Sequence, residues 1–399
     1  MANYKILTVT PLFPPDKSAG LVNHLVNINI NLVKMGNDVS IIAPKHIRDK
    51  ISSSYENFKH VFRVNSVYLP SWPYPAFRSI SFPIDFGLKM KSIIRKGDFD
   101  IVHAHSQYYP ISYLAINLAH QYDIPAVLTL HGMYVLNPDP TGGKSRIENY
   151  FNKYAFRNIL SKATAVIGFT EQVTSYAKRF GKENTKYYTI PNGTNTRTYK
   201  ENLGRKKEYR QKYGIGQDSK VVLFCGRFEE VKGIIEFAKA VKNIIKNNEV
   251  EVLIVGEGSL ESFIRSILHG VDRIHILKWQ PPDKIHELYI ASDIFAIPSK
   301  SEALPLTIIE AMNSGLYIVY TPVGGIPDIL KEYSQKTILA DGSSNEIQSV
   351  LTTLISHFPV TDKMHDSLSY AQKFDWHNIA IETSKVYAEC TDSKSLFHP

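Results

Sequence analysis

Short runs rich in β-branched residues recur along this chain, each followed by a longer stretch with helical spacing, and this alternation constrains the fold most. It begins with residues 5–10, 21–35 and 39–43 and continues through 101–105, 111–120, 126–130, 146–160 and 165–168. Strands separated by crossover helices pair in parallel, and a parallel sheet needs helices on both faces. The pattern therefore predicts an α/β fold with a doubly wound sheet. It ends near Tyr188, meets the turn formers Ile190-Pro191-Asn192-Gly193-Thr194-Asn195, and restarts at 220–225. A second series at 220–225, 250–255, 273–277, 293–298, 316–320 and 336–339 predicts a second sheet of the same kind. At 399 residues the chain exceeds the size at which one core stops growing. The expected organisation is two Rossmann-like domains, 1–195 and 196–375. The segment 376–399 is read as one amphipathic helix packing back on the first domain. Two segments break the rhythm and are read as loops: the aromatic, proline-rich 68–86, and 132–144 with its Asn137-Pro138-Asp139-Pro140.

Composition then narrows the function classes. Apolar residues make up 43% and charged residues 21%, as in a soluble globular protein. No apolar run approaches the roughly 18 to 20 residues of a spanning helix. Met1-Ala2-Asn3-Tyr4-Lys5 leads into a strand rather than a signal peptide, so a cytoplasmic location is expected. Cys225 and Cys390 are the only cysteines and indicate no disulfide framework. The net charge of +8 is uneven: residues 1–195 hold 22 Lys or Arg against 12 Asp or Glu, and 196–399 hold 24 against 26. A basic first half suits an anionic membrane surface, a phosphorylated acceptor or nucleic acid, or is simply a solvated lysine-rich surface. No motif that reads RNA or DNA appears, so nucleic acid is not expected as a partner.

The most informative segment runs from Pro298 through Ser299-Lys300-Ser301-Glu302-Ala303-Leu304-Pro305 to Gly315 and reads as strand end, loop, helix. Pro305 suits a first helical turn and Gly315 the position past the helix end. The free N–H groups of Leu306 and Thr307 would then offer a phosphate site. Glu310 has Leu306, Thr307, Asn313 and Ser314 at helical spacing and no cation among them. A carboxylate so placed needs a donor, and a ligand with hydroxyl groups, such as a ribose, supplies one; the alternative is a bond to backbone elsewhere. Glu302 is less distinctive, because Lys300 and Lys284 offer ordinary surface pairing. In Gly226-Arg227-Phe228-Glu229-Glu230-Val231-Lys232-Gly233, a strand delivers Arg227 and the next helix begins near Lys232. A lysine at a helix start opposes the macrodipole and calls for an anion. Either Glu229 and Glu230 supply it, or Arg227 and Lys232 hold a diphosphate and stabilise charge on it.

Lesser signals complete the set. His131-Gly132 ends a buried strand and either projects an imidazole into a cleft or is a satisfied core residue. Gly20 starts the first helix and either admits an acceptor or phosphate to the backbone or is a plain turn glycine. Val255-Gly256-Glu257-Gly258 joins strand to helix, but Glu261 stands where the dinucleotide fingerprint has its third glycine, which disfavours a nicotinamide dehydrogenase. Gly256 is kept among the donor-binding candidates. His103 and His105 share one strand face without a nearby ligand to complete a metal set, so both are read as structural and no metal or other cofactor is expected.

Taken in order, these motifs resemble the retaining glycosyltransferases of family 4, which have the GT-B fold, and the resemblance covers nearly the whole chain. It rests on Gly20, Asp100-Ile101-Val102-His103-Ala104-His105, His131-Gly132, Ile190-Pro191-Asn192-Gly193, Gly226-Arg227 with Lys232-Gly233, Glu302 with Glu310, and Gly324-Gly325-Ile326-Pro327. It implies that Arg227 and Lys232 bind the donor diphosphate, Glu310 the ribose and Glu302 the transferred sugar, with His131 beside that sugar from the other domain. It further implies metal-independent transfer with retention. The moving group would be a hexose-type sugar from a nucleotide-diphosphate donor, UDP favoured over GDP. The acceptor would be a glycan or lipid-linked molecule in surface polysaccharide or glycoconjugate synthesis, held by a first domain in peripheral contact with an anionic membrane. Asn195, Lys278, Asp328 and Ala303-Leu304-Pro305 depart from the family's common residues at their positions. The alternatives are an enzyme of the same fold that rearranges or hydrolyses a nucleotide sugar, and a binding module for anionic lipid or nucleic acid.

Overall fold

A computed structural model of the chain describes residues 3–14, 19–46, 58, 60–69, 80–83, 88–132, 152–245, 250–358 and 364–395. The chain forms two compact units, Met1–Asn192 with Trp376–Pro399, and Gly193–Asp375.

In the first unit, strands β1 (Lys5–Val9), β2 (Asp38–His46), β3 (His60–Leu69), β4 (Ile80–Pro83), β5 (Ile101–His105), β6 (Ala126–Leu130), β7 (Ala165–Gly168) and β8 (Lys186–Thr189) form one sheet. Their order is β4-β3-β2-β1-β5-β6-β7-β8, and every pair is parallel except β3 with β4. Side chains along a strand alternate between faces, so each strand feeds two cores. Leu7, Val9, Val102, Ala104 and Leu128 pack on one face with Ile111, Ala115 and Ile116 of the helix Pro110–Gln121. Ile6, Ile101, Val127 and Ala165 pack on the other with Ile28 and Leu32 of the helix Ala19–Lys34. Trp376, Ile379, Tyr387 and Cys390 of the helix Trp376–Ser395 join that second core. Cys225 and Cys390 are free thiols.

The segment 68–86 is not all loop, because Ile80–Pro83 pairs antiparallel with the end of β3. β3 and the helix Leu88–Gly97 are also additions to the alternation. The β3 run sets Arg63, Asn65 and Ser66 among its apolar residues and so lacks the continuous apolar character of the central strands. Residues 70–79 and 84–87, and the 132–144 segment beyond Gly132, lie outside the described residues. Of the 146–160 helical reading, 146–151 lie outside them too; Asn152–Phe156 forms a π-helical turn that leads into the helix Arg157–Leu160.

The second unit has β9 (Lys220–Cys225), β10 (Val250–Val255), β11 (Ile274–Leu277), β12 (Ile294–Ile297), β13 (Tyr317–Tyr320) and β14 (Lys336–Ile338), all parallel in the order β11-β10-β9-β12-β13-β14. The stretch between the turn formers at 190–195 and β9 carries two helices, Thr196–Asn202 and Lys206–Lys212. Arg210 and Lys206 anchor it by ion pairs of 2.8 and 2.7 Å to Asp293, which precedes β12. Each sheet has one place where successive strands begin to be added on the opposite side: between β1 and β5 in the first, between β9 and β12 in the second. The loops leaving such strands diverge, and the crevice between them is where open α/β sheets bind ligands. No helix among the described residues is long and apolar enough to cross a membrane.

Candidate active site

The loops that leave β9 and β12 carry Arg227, Lys232 and Glu302. After β9 the chain makes a 3-10 turn at Glu230–Lys232 and then Gly233, at φ 66°, before the helix Ile234–Ile245. Lys232 thus precedes that helix rather than opening it. A Cβ at Gly233 would stand 2.0 Å from the carbonyl oxygen of Pro298, so only glycine lets the two loops close on each other. That closure brings Lys232 Nζ to 2.6 Å from Glu302 Oε1, which also accepts a hydrogen bond from Ser299 Oγ at 2.8 Å. Both side chains are largely shielded, Glu302 at 7% exposure and Lys232 at 20%.

This pairing differs from both surface expectations. Lys300 bonds to Glu230 and Glu236 at 3.3 and 3.0 Å rather than to Glu302, and Glu229 accepts from Ser259. Pairing with Lys284 is not seen either; Glu302 lies inside, where that exposed side chain does not reach it. Arg227 is exposed and forms no ion pair with a described residue. Gly256, at φ 146°, has a packing reason for being glycine: a Cβ would meet the Gly226 carbonyl oxygen at 1.9 Å, beside Arg227.

The helix Leu306–Asn313 follows Pro305, which sits at its N-cap with ψ 124° rather than in its first turn, and no side chain caps it. The amides of Leu306 and Thr307 therefore lack an intrahelical acceptor. Glu310 lies one turn on. Burial raises its carboxyl from the ordinary 4.5 to about 7, while the Tyr289 hydroxyl beside it pulls the other way. Among the described residues no cation pairs with it. The buried Tyr289 hydroxyl lies close enough to Glu310 and Cys225 to act on both but meets no described residue in full hydrogen-bond geometry, and burial together with the negative charge of Glu310 pushes the Cys225 thiol up to about 12. A carboxyl in such a place changes protonation near neutrality and is open to a hydroxyl donor.

His131 and Gly20 belong to the first unit. Gly20 is exposed, and a Cβ there would meet nothing within 4 Å. His131 follows β6 and joins His24, from the first helix, and His105, from β5; the nitrogens of the three lie within 4.8 Å of one another. This corrects the reading of His105 as lacking company, because the partners come from elements far apart in sequence. His105 Nδ1 lies 3.2 Å from His131 Nε2, His24 Nδ1 lies 2.8 Å from Asn192 Oδ1, and His24 and Phe169 set their rings at 5.0 and 4.8 Å from that of His131. Burial holds all of them uncharged: His24 falls to about 4, His103 to about 3, and His105 and His131 well below 6.5. Three neutral imidazoles are a donor set of the kind zinc accepts. The strand ends are bent to make the cluster: Ser106 has φ 70° and Gly132 φ 114°. A serine held at positive φ costs about 1 to 3 kcal/mol, a strain that collects at functional sites. His24 escaped the sequence reading, although it sits one helical turn after Gly20 on the same face, a spacing that was legible.

The family profile for Glycosyltransferase Family 4 matches residues 18–198, and the profile for Glycosyl transferases group 1 matches residues 205–373. An uncharacterized glycosyltransferase of Methanocaldococcus jannaschii is 25% identical over 397 residues, covering 96% of this chain and 97% of its own. A putative teichuronic acid biosynthesis glycosyltransferase of Bacillus subtilis, TuaC, is 24% identical over 366 residues, covering 87% and 88%. The crystal structure of Anabaena Alr3699/HepE in complex with UDP superposes with a TM-score of 0.69 at 18% identity, over 96% of this chain and 100% of that one, a likeness of fold.

Proposed function

Because this chain belongs to the family 4 glycosyltransferases and has their GT-B fold, we propose that it moves a hexose-type sugar from a UDP-sugar, in preference to a GDP-sugar, to a glycan or lipid-linked acceptor in surface polysaccharide or glycoconjugate synthesis. The observation that carries the reading is the convergence of Lys232, Glu302 and the uncapped helix at Leu306 where the strand order of the second sheet reverses. Arg227 and Lys232 would take the diphosphate together with the amides of Leu306 and Thr307. Four donors facing one diphosphate stabilise the charge that builds on it as the sugar leaves, which is the task a metal performs elsewhere. Glu310 would accept from the ribose hydroxyls, and Glu302 would contact the sugar, leaving Lys232 as the diphosphate comes in. Transfer then needs no resident metal and proceeds with retention, by attack on the face from which the nucleotide departs, and His131 would contact a sugar substrate.

UDP binding by the Anabaena protein and the teichuronic acid assignment of TuaC support the choice of nucleotide and of acceptor class. The basic first half, 22 Lys or Arg against 12 Asp or Glu, supports a cytoplasmic enzyme in peripheral contact with an anionic membrane. The test is thermal unfolding with saturating UDP, GDP and ADP. A nucleotide that binds the native state raises the midpoint, UDP should do so most, and Glu310→Ala should abolish the shift. If none of the three moves the midpoint, the donor-site reading is wrong.

A further inference from the structure

One nitrogen of the histidine cluster is unaccounted for. His105 Nε2 is fully buried and has no hydrogen-bond partner among the described residues. Its other nitrogen, Nδ1, faces His131 Nε2 across 3.2 Å. That contact holds one proton, and two neutral imidazoles have two ways to place it. If His131 Nε2 carries it, His105 must carry its own proton on Nε2, and a buried N–H is left without an acceptor. If His105 Nδ1 carries it, Nε2 is a bare acceptor, which a protein interior tolerates better than an orphaned donor.

We propose that His105 is a positioning residue whose Nδ1–H donates to His131 Nε2, fixing His131 as the Nδ1–H tautomer and so making it a hydrogen-bond donor to an oxygen of a sugar substrate. The assignment of the tautomer stands on the contact geometry and on both rings being uncharged; its use in catalysis rests on the proposed function of His131. The surroundings are built to hold His105 still. Its ring stacks on that of His103 at 4.1 Å, and His103 is pinned on both nitrogens, by Tyr387 and Thr129 hydroxyls at 2.7 Å each. Ser112 Oγ donates to the His105 carbonyl at 2.8 Å, and the left-handed turn at Ser106 bends the chain immediately after the ring. On the other side of the contact, Gln107 Nε2 donates to the Gly132 carbonyl at 2.7 Å and fixes the backbone that carries His131. A hydrogen bond at one ring nitrogen that sets where the proton sits is the usual way a neutral histidine is given one role.

Long-range proton–nitrogen correlation spectra of the full chain labelled with nitrogen-15 histidine should show His131 protonated on Nδ1 near neutral pH. Protonation on Nε2 would overturn the proposal. So would one equivalent of zinc or another transition metal in the purified protein, since the facing nitrogens would then both be ligands. For the catalytic half, His105→Asn keeps an N–H close to the place of Nδ1 and His105→Phe keeps only the ring. Asn should retain most of kcat, and Phe should lower kcat about 10²-fold with little change in KM. Equal kcat in the two variants, whether high or low, counts against a positioning role. Should the Phe variant fail to fold, the spectra of the unaltered protein and the Asn variant still decide. Absence of transfer with every nucleotide sugar defeats the proposed function without touching the tautomer.

Discussion

The two units place candidate residues at the same kind of position in a parallel sheet, and they equip it with opposite chemistry. The first gathers His24, His105 and His131, which burial strips of charge. The second carries Arg227, Lys232, Glu302 and Glu310 on the segments that follow β9 and β12, and of these Lys232 and Glu302 neutralise each other at 2.6 Å. Net charge does not anticipate this. The basic half of the sequence carries the neutral cluster, and the half with 24 Lys or Arg against 26 Asp or Glu carries the cations proposed to hold phosphate. A local site is set by which loops a sheet brings together, whereas the excess of lysine lies outside the clusters described.

The largest effect expected from this contrast is on transfer. Lys232→Met removes a proposed phosphate contact and leaves the Glu302 carboxylate buried without its partner, so kcat should fall roughly 10²- to 10³-fold. The variant should also lose a few kcal/mol of stability, because breaking a buried pair costs more than the pair contributes. Lys232→Met with Glu302→Gln should regain most of that stability and none of the activity. Recovery of activity in the double variant would show that the pair is a structural clamp, and would collapse the distinction between the units to one of packing.

The next effect is a pH response of opposite sign in the two units. Glu310 has its folded pKa raised, from 4.5 to about 7, so the stability it contributes is present below 4.5 and is lost as pH rises through 7. His24 has its folded pKa lowered, from 6.5 to about 4, so its contribution is present above 6.5 and is lost as pH falls toward 4. Each is worth on the order of 3 kcal/mol by the size of the shift. Hydrogen exchange followed by unit, without nucleotide, should show Gly193–Asp375 loosening from pH 5 to 7.5 and Met1–Asn192 loosening from pH 6.5 to 4.5. Glu310→Gln should flatten only the first of these. A common pH profile for both units would contradict burial that raises the carboxyl of Glu310 and lowers the imidazole of His24.

The doubly wound parallel architecture was legible from the alternation of apolar runs, because parallel strands buried on both faces leave an unmistakable composition, whereas the strand order, with β3 and β4 at one edge, was not. Arg227, Lys232 and Glu310 were legible as candidates for the same reason: a turn glycine, a strand end and a helix face free of cations are local facts. The pairing of Lys232 with Glu302 was not, since 70 residues separate them and Gly233 closes the gap only through its contact with Pro298. The histidine cluster was legible in pieces only. His103 and His105 share a strand, but His24 and His131 arrive from another helix and another strand, and Tyr387 from the far end of the chain.

The smallest effect separates two kinds of glycine. At Gly324 the backbone has φ 56° and a Cβ would lie 1.9 Å from the Glu302 carbonyl oxygen, so alanine there must displace the loop that carries Glu302. At Gly20 the backbone is helical and the space is open. Gly20→Ala should therefore stabilise the first unit, by about 0.5 to 1 kcal/mol, since alanine gives up less chain entropy than glycine in a helix. If the open space beside Gly20 is where a phosphate or acceptor meets the helix start, the same substitution should weaken that ligand while raising the melting temperature. A rise in melting temperature with unchanged KM for both substrates would make Gly20 an ordinary helix-start residue, and would leave the histidine cluster as the first unit's sole candidate contact with substrate among the described residues.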